Sequence, residues 1–276
     1  MFTYRKIRIA GFTLAVATTA IAAAAATGQQ ANTEDDVNSC QSAWSGDFSR
    51  FCEVRTLTMP APNGALTVDG LTNGGITVTG GDVSNVRVEA LVQAWSGSAR
   101  DAEALAKQVR IVTDGGQIHA ELPSGQTGGW SVSYRITAPK STSLDLHAQN
   151  GGISVADVTG QLEIATYNGG IHLADVGGNV RGRTTNGGVH VDLKGDHFDG
   201  TGMDVTTTNG GVTLAIPSSY SARLETGTVN GRISTTIPFT TQGENAGRTL
   251  TTTLGQGGAL IHVATHNGAV RVRRSS

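Results

Sequence analysis

In the second half of the chain, apolar and polar residues alternate in short runs that are separated by glycine-containing turns. In "NGGIHLADV", the apolar residues Ile171, Leu173 and Val176 are interrupted by His172 and Ala174. Side chains along a β-strand point alternately to its two faces, so such a run predicts a strand with one buried face. We therefore expect the three apolar side chains to point into a core, and His172 and Ala174 to point outward.

The runs recur at regular intervals, and each repeat begins with Asn-Gly. The repeats "NGGISVADVTGQLEIATY" and "NGGIHLADVGGNVRGRTT" each hold one strand after Asn-Gly-Gly and a second strand after a later glycine. Repeats of about 18–23 residues are typical of solenoids, in which each coil buries its apolar face against its neighbours. The sequence predicts an all-β fold with a right-handed β-solenoid, or β-roll-like repeat, over residues 144–276.

Two further columns of residues recur at the predicted corners between coils. An asparagine opens each repeat, and from Asn168 onward a threonine stands two residues before it. We expect the asparagines to form an amide ladder, the inward threonines to link their hydroxyls, and the glycines to supply positive φ. The predicted corner residues are Asn150, Asn168, Asn186, Asn209 and Asn230, with Thr166, Thr184, Thr207 and Thr228.

Residues 59–143 alternate in the same way, which predicts an N-terminal β region, but one helical segment interrupts it. Ser98 and Asp101 form a capping-box pattern before "AEALAKQV". The apolar residues Ala102, Leu105, Ala106 and Val109 fall on one face at helical spacing. The pattern predicts one short helix near residues 98–109 that lies over the end of a sheet.

The N-terminus indicates export. Residues 1–26 combine a basic start with an apolar, alanine-rich run, as a signal peptide does, although an uncleaved anchor helix is an alternative. Residues 27–58 form a polar leader that contains the only two cysteines, Cys40 and Cys52. An even cysteine count in an exported chain predicts a disulfide between them. We expect a periplasmic, cell-surface or secreted bacterial protein with no stable membrane span after signal cleavage.

Several motifs together resemble a known family. They are "CEVRTLTMPAPNGALTVDGLTNGGITV", "WSVSYRITAP", the "T-x-NGG" repeats, "YSARLETGTVNG" and "LGQGGALIHVATHNGAVRV". In this order they resemble the bacterial "putative adhesin" family, domain of unknown function 4097, whose members are exported β-solenoids. The resemblance implies a fold and an extracytoplasmic location, and it implies no catalytic residues.

Charge and turn chemistry exclude some functions. The net charge is −2, so nucleic acid is not an expected partner. The glycine turns feed strands rather than helix N-termini, which argues against phosphate binding. A calcium-stabilised β-roll is an alternative, but its turns require an aspartate that the Asn-Gly-Gly turns lack. Asp196, Asp199 and Asp204 are the closest approach to such a site.

The outward positions supply the remaining candidates for function. His172 and His190 occupy equivalent places in adjacent repeats, with Asp192 two residues beyond, and we interpret them as solvated surface residues rather than as a metal site. Tyr167 lies outward beside a corner, where its ring could stack on a sugar or a partner. No cofactor is expected.

The outward column of Asp145, Glu163, Arg181, Asp204, Glu225 and His262 lacks the aromatic platform of a polysaccharide enzyme. The sequence therefore predicts a non-catalytic interaction or scaffolding module that binds an envelope protein or a surface glycan. Carbohydrate binding or processing is the alternative.

Overall fold

The twenty strands found in the described part of the chain form two layers. The computed structural model describes residues 37, 40, 48–124, 128–237 and 248–275, so the predicted signal peptide (1–26) lies outside the described residues. The strands are β1 (Ser49–Pro60), β2 (Leu66–Asp69), β3 (Ile76–Gly81), β4 (Asn85–Ser96), β5 (Arg110–Asp114), β6 (Gln117–Glu121), β7 (Gly129–Pro139), β8 (Leu144–Ala148), β9 (Ile153–Ala156), β10 (Thr159–Thr166), β11 (Ile171–Ala174), β12 (Gly177–Asn186), β13 (Val189–Asp192), β14 (Gly200–Asn209), β15 (Val212–Ile216), β16 (Ala222–Asn230), β17 (Ile233–Thr235), β18 (Thr249–Leu254), β19 (Leu260–Asn267) and β20 (Val270–Arg274).

Each sheet contains ten strands. The first sheet has the order β1-β4-β7-β3-β9-β11-β13-β15-β20-β17, and the second has the order β18-β16-β19-β14-β12-β10-β8-β2-β6-β5. From β8 to β15 the chain alternates between the sheets, and each strand pairs in parallel with its equivalent in the next repeat. Ile171, for example, lies between Ile153 and Val189. The prediction of an all-β protein built from stacked repeats is confirmed.

Two features depart from the predicted solenoid. The described residues form two long sheets rather than a closed solenoid, and antiparallel strands extend these sheets at their ends. The last repeats also do not stack in chain order. Strand β19 lies between β14 and β16, since β18 pairs with the other edge of β16. As a result, His262 lies between Asp204 and Glu225, and Arg271 lies between Thr213 and Ser234.

The core lies between the sheets. Ile171, Leu173 and Val176 are buried as predicted, and His172 is exposed. One hydrophobic cluster contains side chains of both sheets, such as Leu144 of the second and Ile153 of the first. Burial of this kind stabilises by about 1.5–3 kcal/mol for each large aliphatic side chain. The alternation read from the sequence therefore defines the buried face of each strand.

Helix α1 (Ala99–Gln108) confirms the predicted helix. The Ser98 hydroxyl accepts a hydrogen bond from the Asp101 backbone N–H at 3.2 Å, as an N-cap does. Ala102, Leu105, Ala106 and Val109 are buried, so the helix packs its predicted face against the protein. Among the described residues, no helix is long and apolar enough to cross a membrane.

A disulfide joins Cys40 to Cys52 near the start of β1, with their Cα atoms 6.4 Å apart. Both cysteines are buried. The cross-link therefore connects Cys40 to β1, the edge strand of the first sheet.

The corner asparagines form a continuous ladder of side-chain amides. The Asn186 amide Nδ2 donates to Asn168 Oδ1 at 2.8 Å and its Oδ1 accepts from Asn209 Nδ2 at 2.8 Å. The same contact runs from Asn73 through Asn150 to Asn168, and from Asn209 through Asn267 to Asn230. Because of the β19 insertion, Asn267 precedes Asn230 in the ladder.

The corner threonines bond differently from the prediction. Their hydroxyls donate to the backbone carbonyl of the first glycine at the adjacent corner and are not linked to one another. Thr184 donates to the Gly169 oxygen at 2.7 Å, and Thr207 donates to the Gly187 oxygen at 2.7 Å. Thr166, Thr228 and Thr265 make the equivalent bond. The buried hydroxyls prefer these carbonyls because the carbonyls lack a strand partner at the corner.

The predicted reason for the corner glycines is wrong. Among the described residues, the glycines with positive φ do not include those of the Asn-Gly-Gly turns. Instead, a Cβ atom on Gly187 would lie 2.0 Å from the Gly169 carbonyl oxygen, which is the oxygen that accepts the Thr184 hydroxyl. The first glycine of the other corners meets the same obstacle at 1.8–2.1 Å. Close stacking of backbones, and not a left-handed conformation, requires glycine there.

This packing predicts unequal costs for the two adjacent glycines of one corner. Gly187→Ala should lower the free energy of unfolding by about 1–3 kcal/mol or more, because backbone atoms block the new methyl group. Gly188→Ala is the matched control, since its Cβ would lie 3.4 Å from the nearest atom and Ala269 already occupies the equivalent place. It should change stability by less than about 1 kcal/mol. Urea denaturation of both variants measures the difference, and equal stabilities would contradict the stacking argument.

The ladder predicts a position-dependent cost for losing an asparagine. Asn186→Ala removes two side-chain hydrogen bonds, so it should cost about 1–2 kcal/mol of unfolding free energy. Asn73→Ala removes the single contact at 3.2 Å and should cost about half as much. Thermal denaturation compares the two variants. A larger loss for Asn73→Ala would show that the ladder does not stabilise the stack.

Candidate functional site

A groove of about 770 Å³ crosses the outer face of the first sheet. Its floor is the column formed by the second glycine of each corner. These positions point outward, because the next residue in each strand, such as Ile153 or Ile171, points into the core. A column of residues without side chains leaves a trough in an otherwise covered sheet. We call it the glycine groove, and its floor glycines are Gly75, Gly152, Gly170, Gly188 and Gly211.

One wall of the glycine groove is the next outward column, two residues after each glycine. This wall is polar and consists of Thr77, Ser154, His172, His190 and Thr213. The far end is closed by β4 and β7, where Leu91 is apolar and Glu89 carries charge. The Glu89 carboxylate contacts Arg87 at 2.9 Å and Arg135 at 3.7 Å. The groove therefore offers hydroxyls and imidazoles along its length and a charged, partly apolar end.

His172, His190 and Asp192 meet at this wall. Strands β11 and β13 pair in parallel with His172 beside His190 and Ala174 beside Asp192. The Asp192 Oδ2 atom lies 3.1 Å from His172 Nε2 and 3.0 Å from His190 Nε2. The two imidazole rings are 5.0 Å apart and nearly perpendicular. The sequence predicted that these residues share one face, and the structure shows that their polar atoms converge.

The carboxylate of this cluster is held in its charged form. Burial alone would raise the pKa of Asp192, but hydrogen bonds and charge from His172 and His190 outweigh it and hold the pKa below its ordinary value. Arg273 adds a cation 3.7 Å from the other carboxylate oxygen, Oδ1. The sequence did not indicate Arg273, because its place depends on β20 pairing with β15. Ala215 of β15 lies between Asp192 and Arg273, and its small side chain lets the arginine reach the carboxylate.

Tyr167 lies elsewhere. It is 55% exposed and lines a separate hollow of about 530 Å³ beside the corner at the second sheet. Asp69, Thr72, His147 and Arg183 also line that hollow. The tyrosine ring is therefore accessible, as the sequence predicted, but the structure does not bring it together with the histidine cluster.

The aspartates nearest to a calcium motif are engaged separately. Asp196 Oδ1 lies 2.6 Å from His197 Nδ1, and this contact lowers the pKa of Asp196. Asp204 Oδ1 lies 2.7 Å from His262 Nδ1. Within the described ranges, the group of three potential metal ligands with atoms in mutual reach is His172, His190 and Asp192.

Comparison with known proteins identifies the fold family. The comparison with curated proteins found no match. A putative cell adhesion protein from Clostridium sporogenes is 14% identical, with 81% of this chain and 100% of that chain covered and a TM-score of 0.41. A putative adhesin from Bacteroides fragilis is 11% identical, with 81% and 97% covered and a TM-score of 0.37. A putative lipid binding protein from Parabacteroides distasonis is 7% identical, with 81% and 97% covered and a TM-score of 0.31. The model of the Toastrack DUF4097 family matches residues 41–273, and the chain therefore belongs to that family.

Proposed function

We propose that this chain is a non-catalytic, extracytoplasmic interaction or scaffolding module of the bacterial cell envelope. It binds an extended partner, an envelope protein or a surface glycan, along the glycine groove. The observation that carries the proposal is the groove itself, which crosses five repeats and presents a polar wall above a floor of bare backbone. We also propose that the chain coils with a right hand as it passes from one stacked repeat to the next.

The framework beneath the groove is suited to binding because it is already organised. Each floor glycine immediately precedes a strand that pairs on both sides, and the asparagine ladder ties the adjacent corners. A partner that binds a preformed surface does not have to order that surface, and less conformational entropy is lost on binding. The disulfide and the basic–apolar N-terminal pattern support an extracytoplasmic location.

The charged groups of the second sheet support a non-catalytic role. Asp145 contacts His147 at 2.7 Å and Asp204 contacts His262 at 2.7 Å, so these carboxylates are paired with imidazoles. In the paired strands, Arg181 lies between Glu163 and Asp204. A glycosidase needs two carboxyl groups that converge on one bond, and a cation between them does not provide that arrangement.

Carbohydrate is the second candidate partner. The hydroxyls of Thr77, Ser154 and Thr213 and the imidazoles along the wall can exchange hydrogen bonds with sugar hydroxyls. A long polar groove fits a linear glycan as well as an extended peptide segment. The two partners are separated by the binding experiment below.

Filling the glycine groove should weaken partner binding. Ser154→Trp places a large ring in the middle of the groove and should weaken binding at least about tenfold. The control Glu163→Trp places the same ring on the exposed face of the second sheet and should bind like the parent. Each protein is tested against a glycan array and against proteins cross-linked in isolated envelopes. Equal binding by both variants would contradict a role for the groove.

Calcium should not stabilise the stack, because the corner amides already bond to one another. A ligand that binds the native state at 100 times its Kd stabilises by about 2.7 kcal/mol. A calcium-stabilised roll would therefore show a clear rise in Tm when calcium is added to metal-free protein. We expect no rise beyond that produced by magnesium, and a calcium-specific rise would favour the β-roll alternative.

A further inference from the structure

We propose that His172, His190 and Asp192 form a binding site for a divalent transition-metal ion such as Zn²⁺. The site goes beyond the proposed interaction role and does not depend on it. Its ligands would be His172 Nε2, His190 Nε2 and Asp192 Oδ2, which lie within 4.8 Å of one another at the groove wall.

The distances are close to those that a metal requires. Zinc binds imidazole nitrogen and carboxylate oxygen at about 2.0–2.2 Å, which places tetrahedral ligand atoms about 3.3 Å apart. The carboxylate oxygen lies 3.0 Å and 3.1 Å from the two imidazole nitrogens. All three ligand atoms lie within 4.8 Å of one another, so the two imidazoles would have to turn toward one point to enclose the ion. Side chains that are between one third and one half exposed can make this adjustment, and these have exposures of 50%, 39% and 32%.

The register confines the site to one pair of strands. Along the same two outward columns, the preceding repeat has Ser154 and Ala156, and the following repeat has Thr213 and Ala215. Neither repeat supplies an imidazole or a carboxylate. The protein would thus bind one ion at one position, whereas the asparagine ladder repeats along the stack.

The ligand set favours a particular class of metal. Two imidazoles and one carboxylate suit zinc, copper, nickel and iron, whereas calcium and magnesium prefer all-oxygen sites. The charged carboxylate offsets part of the ion's charge, and Arg273, 3.7 Å from Oδ1, orients the carboxylate so that Oδ2 faces the histidines. Three protein ligands leave the fourth position of a tetrahedral ion for water or for a group of a bound partner.

The other histidine–carboxylate contacts lack the second imidazole. Among the described residues, His147 lies 2.7 Å from Asp145, His262 lies 2.7 Å from Asp204, His197 lies 2.6 Å from Asp196, and His119 lies 3.3 Å from Glu121. Each is a pair, and a pair binds zinc more weakly than a site with three ligands. These pairs provide matched controls within the same protein.

The test is calorimetric titration of ZnCl₂ into the purified metal-free protein, prepared without a histidine tag. The parent should bind one zinc ion. His172→Ser and His190→Thr should each weaken that binding at least about tenfold, because each removes a ligand. Both replacements use residue types found in the same column, Ser154 and Thr213, so the fold should be retained. The control His147→Ser should bind zinc like the parent.

Two further measurements keep the outcome clear. The Tm of each metal-free variant shows whether the variant folds. If either histidine variant fails to fold, Asp192→Asn, which also removes a ligand, is tested in its place. CoCl₂ in place of zinc should give the intense visible absorption of a four-coordinate ion in the parent and lose it in the ligand variants. Absence of stoichiometric zinc binding by the parent, or unchanged affinity in both folded histidine variants, would overturn the proposal.

Discussion

The architecture depends on the distance of closest approach between backbones at the corners. Neighbouring strands of a sheet lie about 4.8 Å apart, and at the first glycine of each corner the carbonyl oxygen of the adjacent repeat occupies the space of a side chain. That oxygen also accepts the buried threonine hydroxyl. Glycine and threonine are therefore two parts of one contact, which holds successive repeats in register.

The asparagine ladder and the glycine groove both follow from this register. Once the first glycines are stacked, asparagine amides one residue earlier are brought within 2.7–3.2 Å of each other. The second glycines, one residue later, stack with room to spare and leave the outer face bare. Thus the Asn-Gly-Gly turn has three neighbouring residues with three distinct roles: amide pairing, backbone contact and groove floor.

The same register creates the histidine cluster. His172 and His190 are eighteen residues apart in sequence, which is one repeat, and parallel pairing places them side by side. Asp192 then contacts His172 of the adjacent strand as well as His190 of its own strand. The other residues of the groove wall are threonine and serine. The two histidines and Asp192 therefore place metal-ligating groups at one position on that wall.

Much of the candidate site could be read from local patterns. The inward and outward faces, the cap of α1 and the columns of Asn and Thr were predictable, since each depends on residues within one strand, one helix or one repeat. The acceptor of the threonine hydroxyls, the steric reason for Gly187 and the approach of Arg273 to Asp192 were not. Each depends on atoms contributed by a different strand, whose distance is not encoded in local periodicity.

By itself, the sequence determined which residues form strands, which side chains face the core and how long each repeat is, because alternation and period are properties of the chain. Tertiary structure alone decided the order in which the last strands pair. β18 pairs with one edge of β16 and β19 with the other, so the last repeats leave chain order and Arg271 enters the column of Thr213 and Ser234. The physical reason is that sheet edges are completed by whichever strand can supply backbone hydrogen bonds, and this choice depends on the whole fold.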